Sequence, residues 1–296
     1  MELHYLNFST EMHNNADEIN RRIFDWGEMK KIVNQNNYKK ISELKLGYLS
    51  SVMYPHASFL NLSLITEYLL ISYIFKENLI KIENVSQYED FIEEITCVFY
   101  SNKHSDNYFV SALKDWWKRY IMYIGIKYKA HFLYHFMSYV YSQYWKYHNK
   151  KNKRIPPVKE SQVKRRFTEG NSVLLNFIDI ANHNPYIPKK EVNILMNIAN
   201  DIVNWQKDIL FLEDDLAKGS TNNLVICIHH HNQIPMHQAL ERSIGMRDLQ
   251  VDKFLKEEEK LILKNQSNEF DYKVFTSSLR KIIQGHLYWG EELLTN

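Results

Sequence analysis

Asn200, Asn204 and Asp208 recur every fourth residue in the run Asn200-Asp201-Ile202-Val203-Asn204-Trp205-Gln206-Lys207-Asp208. On an α-helix that spacing stacks them on one face, each a turn above the last. The face then carries two amide oxygens and one carboxylate. Hard oxygen donors in such an array suit Mg2+ or Mn2+, which take a few carboxylate or carbonyl oxygens and complete their shell with water and phosphate. Lys207 sits beside the array and can touch the same anion. A polar face turned to solvent is the alternative. Against it, Ile202, Val203, Trp205, Ile209 and Leu210 surround the polar residues. The helix is therefore expected to be largely buried, and its polar groups to need partners.

Cationic candidates lie upstream, in Pro157-Val158-Lys159-Glu160-Ser161-Gln162-Val163-Lys164-Arg165-Arg166-Phe167-Thr168-Glu169-Gly170. A planar guanidinium makes paired hydrogen bonds to phosphate oxygens, so Arg165 and Arg166 are candidate phosphate contacts. Two other clusters read as surface features. Glu89, Asp90, Glu93 and Glu94 crowd a short helix and are expected to face solvent. His229, His230 and His231 are adjacent, cannot all face one metal from a single helix, and are expected at a helix end.

The elements that must position these groups are helices. The 296 residues hold only 8 Gly and 6 Pro, which favours long helices over strands joined by tight turns. Apolar spacing predicts helices over 17–33, 39–52, 57–76, 88–100, 108–148 (with Gly125 as a break), 192–216, 223–231, 236–244, 248–263 and 272–294. Hydrophobic residues make up 45% and aromatic residues 14% of the chain, enough for a sizeable core or an aromatic cavity. Lys and Arg number 37 against 35 Asp and Glu, a net charge of +2, which gives no support to nucleic-acid binding. Cys97 and Cys227 make neither a disulfide framework nor a zinc site. The first residues carry no basic and apolar leader pattern, so the cytoplasm is the expected location. The most apolar stretch, Ala57 to Phe75, contains Asn61 and Glu67 and reads as a buried helix rather than a membrane span.

The metal-type run resembles the second metal motif of class I terpene synthases: Asn-Asp, two residues, Ser or Thr, three residues, then Glu, usually preceded by Lys. Asn200, Asp201, Lys207 and Asp208 fit. Asn204 replaces the hydroxyl residue, and Asp208 is one methylene shorter than Glu. Further stretches are similar in order: Tyr54-Pro55 before a long helix, Ala112 to Arg119, the Arg165-Arg166-x-Thr168-x-Gly170 segment, Gly219 through Asn223-Leu224-Val225, and Gly285 to Trp289. The resemblance covers roughly residues 50 to 290. Three departures accompany it. Lys76 and Glu77 stand where the family's Asp-rich motif begins, after the aromatic run Tyr73-Ile74-Phe75. The gap from Arg165 to Asn200 is shortened, with the deletion placed around 182–188. The closing Arg-Tyr pair is replaced by Glu291 to Asn296.

The resemblance implies an all-α chain, a single domain over 1–296, with antiparallel helices around a deep apolar pocket. It implies a lyase that ionises an allylic prenyl diphosphate, farnesyl diphosphate in particular, with Mg2+ or Mn2+ and basic residues taking the leaving diphosphate. Arg165 and Lys207 would act on the diphosphate. Asn200, Asn204, Asp208 and Glu77 would hold metal. Lys76, Arg166, Phe75, Tyr73, Trp205 and Trp289 would contact substrate. A homodimer is compatible with it. The competing readings are a helical scaffold with no pocket, a non-catalytic relative that binds a prenyl diphosphate or another partner, and a prenyl transferase. The last normally needs two intact Asp-rich motifs, which this chain lacks.

Overall fold

The computed structural model describes residues 8, 10–101, 104–182, 190–266 and 269–295. It describes the side chains of all of these except 125–127, 190, 191, 269, 270 and 292–295. The described residues contain helices and no strand. The chain divides into two compact units, one of Glu11–Met137 with Asp179–Asn184, the other of Met1–Thr10, Ser138–Ile178 and Pro185–Asn296.

The first unit holds α1 (Ala16–Met29), α2 (Tyr38–Glu43), α3 (Leu46–Met53), α4 (Phe59–Ile80), α5 (Val85–Tyr100) and the start of α6 (Tyr108–Lys151). The Tyr54-Pro55 turn stops α3, and Ser58 starts α4 by accepting a hydrogen bond from the Asn61 amide at 3.3 Å, which satisfies one of the helix's orphan donors. α4 is apolar on almost every side and packs against α1 and α3. Among the described residues it is the one helix long and apolar enough to cross a membrane, and 72% of its most apolar window is buried inside the protein. Three of its polar residues find partners within the unit. Thr66 Oγ1 meets Ser50 Oγ at 2.6 Å, Asn61 Nδ2 donates to the Ile180 carbonyl at 2.7 Å, and Glu67 pairs with Arg119 at 2.5 Å. Arg119 also holds Asp115, which takes Lys30 at 2.8 Å. The Ala112 to Arg119 stretch is therefore a packing segment: Ala112, Leu113 and Trp116 are fully enclosed, and Trp116 stacks on Tyr120 with centroids 4.8 Å apart.

The second unit holds the end of α6, then α7 (Val158–Thr168), α8 (Asn171–Asn176), α10 (Lys190–Leu210), α11 (Leu212–Ala217), α12 (Leu224–Asn232), α13 (Met236–Lys264) and α14 (Glu269–Thr295). The short α9 (Ile178–Asn182) lies where the chain passes between units. α10 is central to its unit and packs against α7, α8, α12, α13 and α14. That position explains why its polar residues had to find protein partners. Of the shortened stretch placed at 182–188, residues 183–188 lie outside the described residues. So do the side chains of 292–296.

Several boundaries differ from the sequence expectation. Gly125 does not break α6, which is continuous from Tyr108 to Lys151. The 39–52 helix is two, because Lys45 takes a left-handed conformation (φ 49) between α2 and α3. The 192–216 helix breaks at Phe211. Conversely, 236–244 and 248–263 form the single α13, which runs through Gly245. Glycine inside a helix costs backbone entropy but does not forbid the turn. A Cβ placed on Gly245 would meet nothing within 4 Å. Gly245→Ala is therefore expected to stabilise the protein by about 0.5–1 kcal/mol, measured as a raised urea midpoint at unchanged slope.

Candidate active site

The column on α10 forms as the spacing predicts, and it is buried. Asn200, Asn204 and Asp208 are each no more than 2% exposed. Asn204 Nδ2 donates to Asn200 Oδ1 at 2.8 Å and to the Arg165 carbonyl at 3.1 Å. Asn200 Nδ2 donates to the Arg166 carbonyl at 2.8 Å. Both asparagines thus clamp α10 to the last turn of α7, the turn that carries the arginines.

Each side-chain oxygen of the column accepts a donor from the protein. Asn171 Nδ2, at the start of α8, donates to Asn204 Oδ1 at 2.9 Å. Asp208 receives Arg165 through two guanidinium nitrogens, one of them Nε at 3.3 Å, and the Leu224 amide at 2.9 Å. That amide lies at the first turn of α12, whose N-cap, Asn223, bonds the Asp208 carbonyl at 2.7 Å. Burial pushes the Asp208 carboxyl up to about 6 against the pull of Arg165 and the Leu224 amide, which leaves it ionised at neutral pH. Burial also opposes the charge on Arg165, but Asp208 and Glu169 outweigh it and hold the guanidinium protonated.

The two arginines of α7 have different partners. Arg166 makes a bidentate pair with Asp201, both contacts at 2.7 Å, and Gln250 Nε2 joins that carboxylate at 3.1 Å. Arg165 spans Asp208 and Glu169, reaching Glu169 at 2.6 Å. Lys207 reaches the other Glu169 oxygen at 3.4 Å. The second unit therefore brings together Arg165, Arg166, Asn200, Asn204, Lys207 and Asp208. Sequence reasoning had not assigned Asn171, Glu169 or the Leu224 amide. Glu169 stands inside the arginine segment and Asn171 follows its glycine, so proximity to that motif was the available signal.

The remaining candidates fall elsewhere. Tyr73, Phe75, Lys76 and Glu77 lie on α4 in the first unit. Tyr73 is half-buried and its hydroxyl bonds Glu77; burial, then the Glu77 charge, raises its pKa. Glu77 also pairs with Lys40 at 3.6 Å. Lys76 is half-buried. Phe75, expected to contact substrate, is buried and stacks on Phe91 and Phe109 at 6.0 and 6.2 Å. Trp205 is likewise buried, enclosed with Ile209, Leu212, Leu224, Val225 and Ile228. Trp289, on α14, is half-buried. Glu89, Asp90 and Glu93 face solvent and the three histidines end α12 exposed, as expected, but Glu94 is half-buried, because it accepts from Ser105 Oγ and from Asn107 Nδ2 at 3.2 Å.

No three His, Cys, Asp or Glu side chains gather as a metal site among the described residues. A divalent cation at this site would have to use amide oxygens. The α10 column supplies them in the hard-oxygen chemistry that Mg2+ and Mn2+ prefer. Each Asn oxygen accepts one hydrogen bond and has a second lone pair, so the donor set fits such an ion. Arg165 is the competing cation at Asp208.

Residues 75–253 match the family model described as terpene synthase family 2, C-terminal metal binding. The germacrene A synthase of Nostoc punctiforme is 22% identical, over 97% of this chain and 92% of its own length. A 4-epi-cubebol synthase of Streptosporangium roseum, described as cyclizing farnesyl diphosphate, is 19% identical over 81% of this chain and 76% of its own. Among solved structures, the linalool/nerolidol synthase of Streptomyces clavuligerus superposes with a TM-score of 0.86 at 15% identity, covering 97% of this chain and 99% of that one, which shows a shared helical fold. With the family model spanning more than half its length, this chain belongs to terpene synthase family 2 and is a class I terpene synthase of the microbial type.

Proposed function

We propose that the protein is a Mg2+-dependent sesquiterpene synthase. In this reading it ionises farnesyl diphosphate, directs the allylic cation to a terpene and releases diphosphate, as a single catalytic domain over 1–296. The observation that carries it is the α10 column of Asn200, Asn204 and Asp208 with Arg165 and Lys207 against it. The names of the relatives support the substrate: several are sesquiterpene synthases, and one is described as cyclizing farnesyl diphosphate.

The roles follow from the chemistry of the groups. Asn200, Asn204 and Asp208 would hold the divalent ion; Glu77, on α4, is proposed as a metal ligand in its own right. When bound, the ion supplies positive charge to the diphosphate as the carbon–oxygen bond breaks. Arg165 offers a planar, always-charged donor fork and Lys207 a point charge, both already gathered on Glu169 and so held in place before substrate arrives. Arg166, fixed on Asp201, orients the turn that carries Arg165. Lys76 is a candidate diphosphate contact, since an ammonium donates to phosphate and cannot ligate metal while charged. Tyr73 and Trp289 are candidate ring faces for the cation.

The test is product analysis. Purified protein is incubated with Mg2+ and, separately, the C10, C15 and C20 prenyl diphosphates, and extracts are analysed by gas chromatography–mass spectrometry. A hydrocarbon or alcohol from the C15 substrate that vanishes with EDTA is the expected result. A product from another chain length would correct the substrate. No product from any, with diphosphate still bound, would favour a non-catalytic relative.

A further inference from the structure

We infer that Lys146, on the last turns of α6, is a diphosphate-binding residue of this site, and that Glu169 holds the place of the anion until substrate arrives. This rests on the diphosphate reading proposed above.

Three cations converge on the one carboxylate of Glu169. Lys146 Nζ stands 2.8 Å and Arg165 Nη1 2.6 Å from its Oε1, and Lys207 Nζ 3.4 Å from its Oε2. Arg165 has a second carboxylate in Asp208. The next acid, Asp215, is bonded to Asn223 at 2.8 Å. Lys146 and Lys207 therefore flank Glu169, one on each oxygen. Their side chains are 32% and 20% exposed, while Glu169 is 9% exposed. Both ammonium groups are thus more exposed than the carboxylate, and an anion with several oxygens can bridge them where the carboxylate offers only two.

Helical register places Lys146. Tyr139, Gln143 and Lys146 follow one face of α6 at steps of four and three residues. All three meet the segment that closes α7. The Tyr139 ring lies 3.4 Å from where a Cβ on Gly170 would stand. Gln143 Nε2 donates to the Thr168 carbonyl at 2.9 Å, and Lys146 takes Glu169 between them. Gly170 keeps a left-handed φ of 76 at that contact, a conformation that costs glycine little. Lys146 is thus held against the arginine segment by backbone contacts on both sides of Glu169, which a loosely solvated lysine would not be.

A lysine that only stabilises the fold and one that binds diphosphate give opposite signs in one experiment. Binding of inorganic diphosphate, with and without Mg2+, is measured by calorimetry for the wild type, Lys146→Gln, Lys146→Arg and Glu169→Gln. Loss of one charge-assisted contact should raise the Kd of Lys146→Gln about tenfold. Lys146→Arg should stay within about threefold of wild type, because the charge is kept. Glu169→Gln should bind diphosphate more tightly, because the competing carboxylate is gone. A purely structural ion pair predicts that Glu169→Gln weakens binding together with Lys146→Gln, and that outcome overturns the inference. So does an unchanged Kd in Lys146→Gln. If the wild type turns over farnesyl diphosphate while Lys146→Gln keeps both Kd and KM, this inference falls alone. If the wild type binds no diphosphate, the proposed function falls with it.

Discussion

Asp208→Ala is expected to abolish terpene formation and also to lower stability by about 3 kcal/mol, because it removes one of the two carboxylates that compensate a buried charge. The second effect follows from Arg165, whose side chain is only 8% exposed and whose guanidinium lies against Asp208. Remove that carboxylate and Glu169 alone faces a guanidinium that burial already disfavours. The Leu224 amide at the start of α12 also loses its acceptor. Loss of activity in this variant is therefore ambiguous by itself. Asp208→Asn separates the two effects. The amide oxygen still accepts from Arg165 or Leu224 and the volume is kept, so more of the stability should remain, while a neutral amide gives a divalent ion less. Asn200→Ala is the cleaner probe of the column. It removes one acceptor from Asn204 and one donor from the Arg166 carbonyl, and no charge, at a cost of about 1–3 kcal/mol. Urea denaturation and Mg2+-dependent turnover measured on all three variants decide the matter. If Asp208→Ala is as stable as wild type, the ion pair contributes nothing to the fold. If Asn200→Ala and Asp208→Asn both keep full turnover, the α10 column is not the metal site.

The α10 column was legible because helix geometry turns a spacing of four into a shared face. The apolar residues between its members also showed that the face would be buried. The arginine segment was legible as a local motif. Neither route could find the groups that close the site from other elements. Asn171, Glu169 and the Leu224 amide matter through contacts made in three dimensions, and asparagine, glutamate or a backbone amide carries no mark of its partner. The roles of aromatic residues are less legible for a related reason. Phe75 and Trp205 have the surface a cation pocket needs, but the same surface serves a core. Phe75 packs on Phe91 and Phe109, and Trp205 on α12 residues. The helix boundaries failed where local propensity was outvoted. Lys45 adopts a left-handed turn that its type does not announce, and Gly245 continues a helix that glycine disfavours but does not forbid. The paired polar network on α4, with Glu67 and Arg119 at its centre, shows the same limit. A single Glu in an apolar run argues against a membrane span without naming the arginine that holds it.

Asp179→Asn is expected to make the protein more stable at pH 8 by roughly 3 kcal/mol and to flatten its pH dependence between pH 4 and 7. Asp179 lies on α9 among the buried Ile178, Ile180 and Ala181. α9 cannot turn it outward freely, because the Ile180 carbonyl is tied to Asn61. No cation or hydrogen-bond donor meets the Asp179 carboxylate among the described residues, and burial pushes its carboxyl up to about 7. The nearby Tyr120 hydroxyl, itself raised by burial and further by the Asp179 charge, does not relieve it. An unfolded aspartate titrates near 3.9, so the folded protein keeps a proton there that the unfolded chain has lost over the window from about pH 4 to 7. Stability is unaffected by this group below that window, falls as pH rises through it, and stays low above it. The full shift corresponds to about 4 kcal/mol; partial solvent access at the carboxylate brings the expectation to roughly 3. Asparagine has the same shape and no charge to desolvate, so the cost disappears. Urea unfolding of wild type and variant at pH 5 and pH 8 reads the difference directly, because every other titrating group is common to both chains. The gap between them should widen by roughly 2 kcal/mol from pH 5 to pH 8. A gap that stays constant would mean that Asp179 is solvated or paired in the native protein and titrates as an ordinary carboxylate.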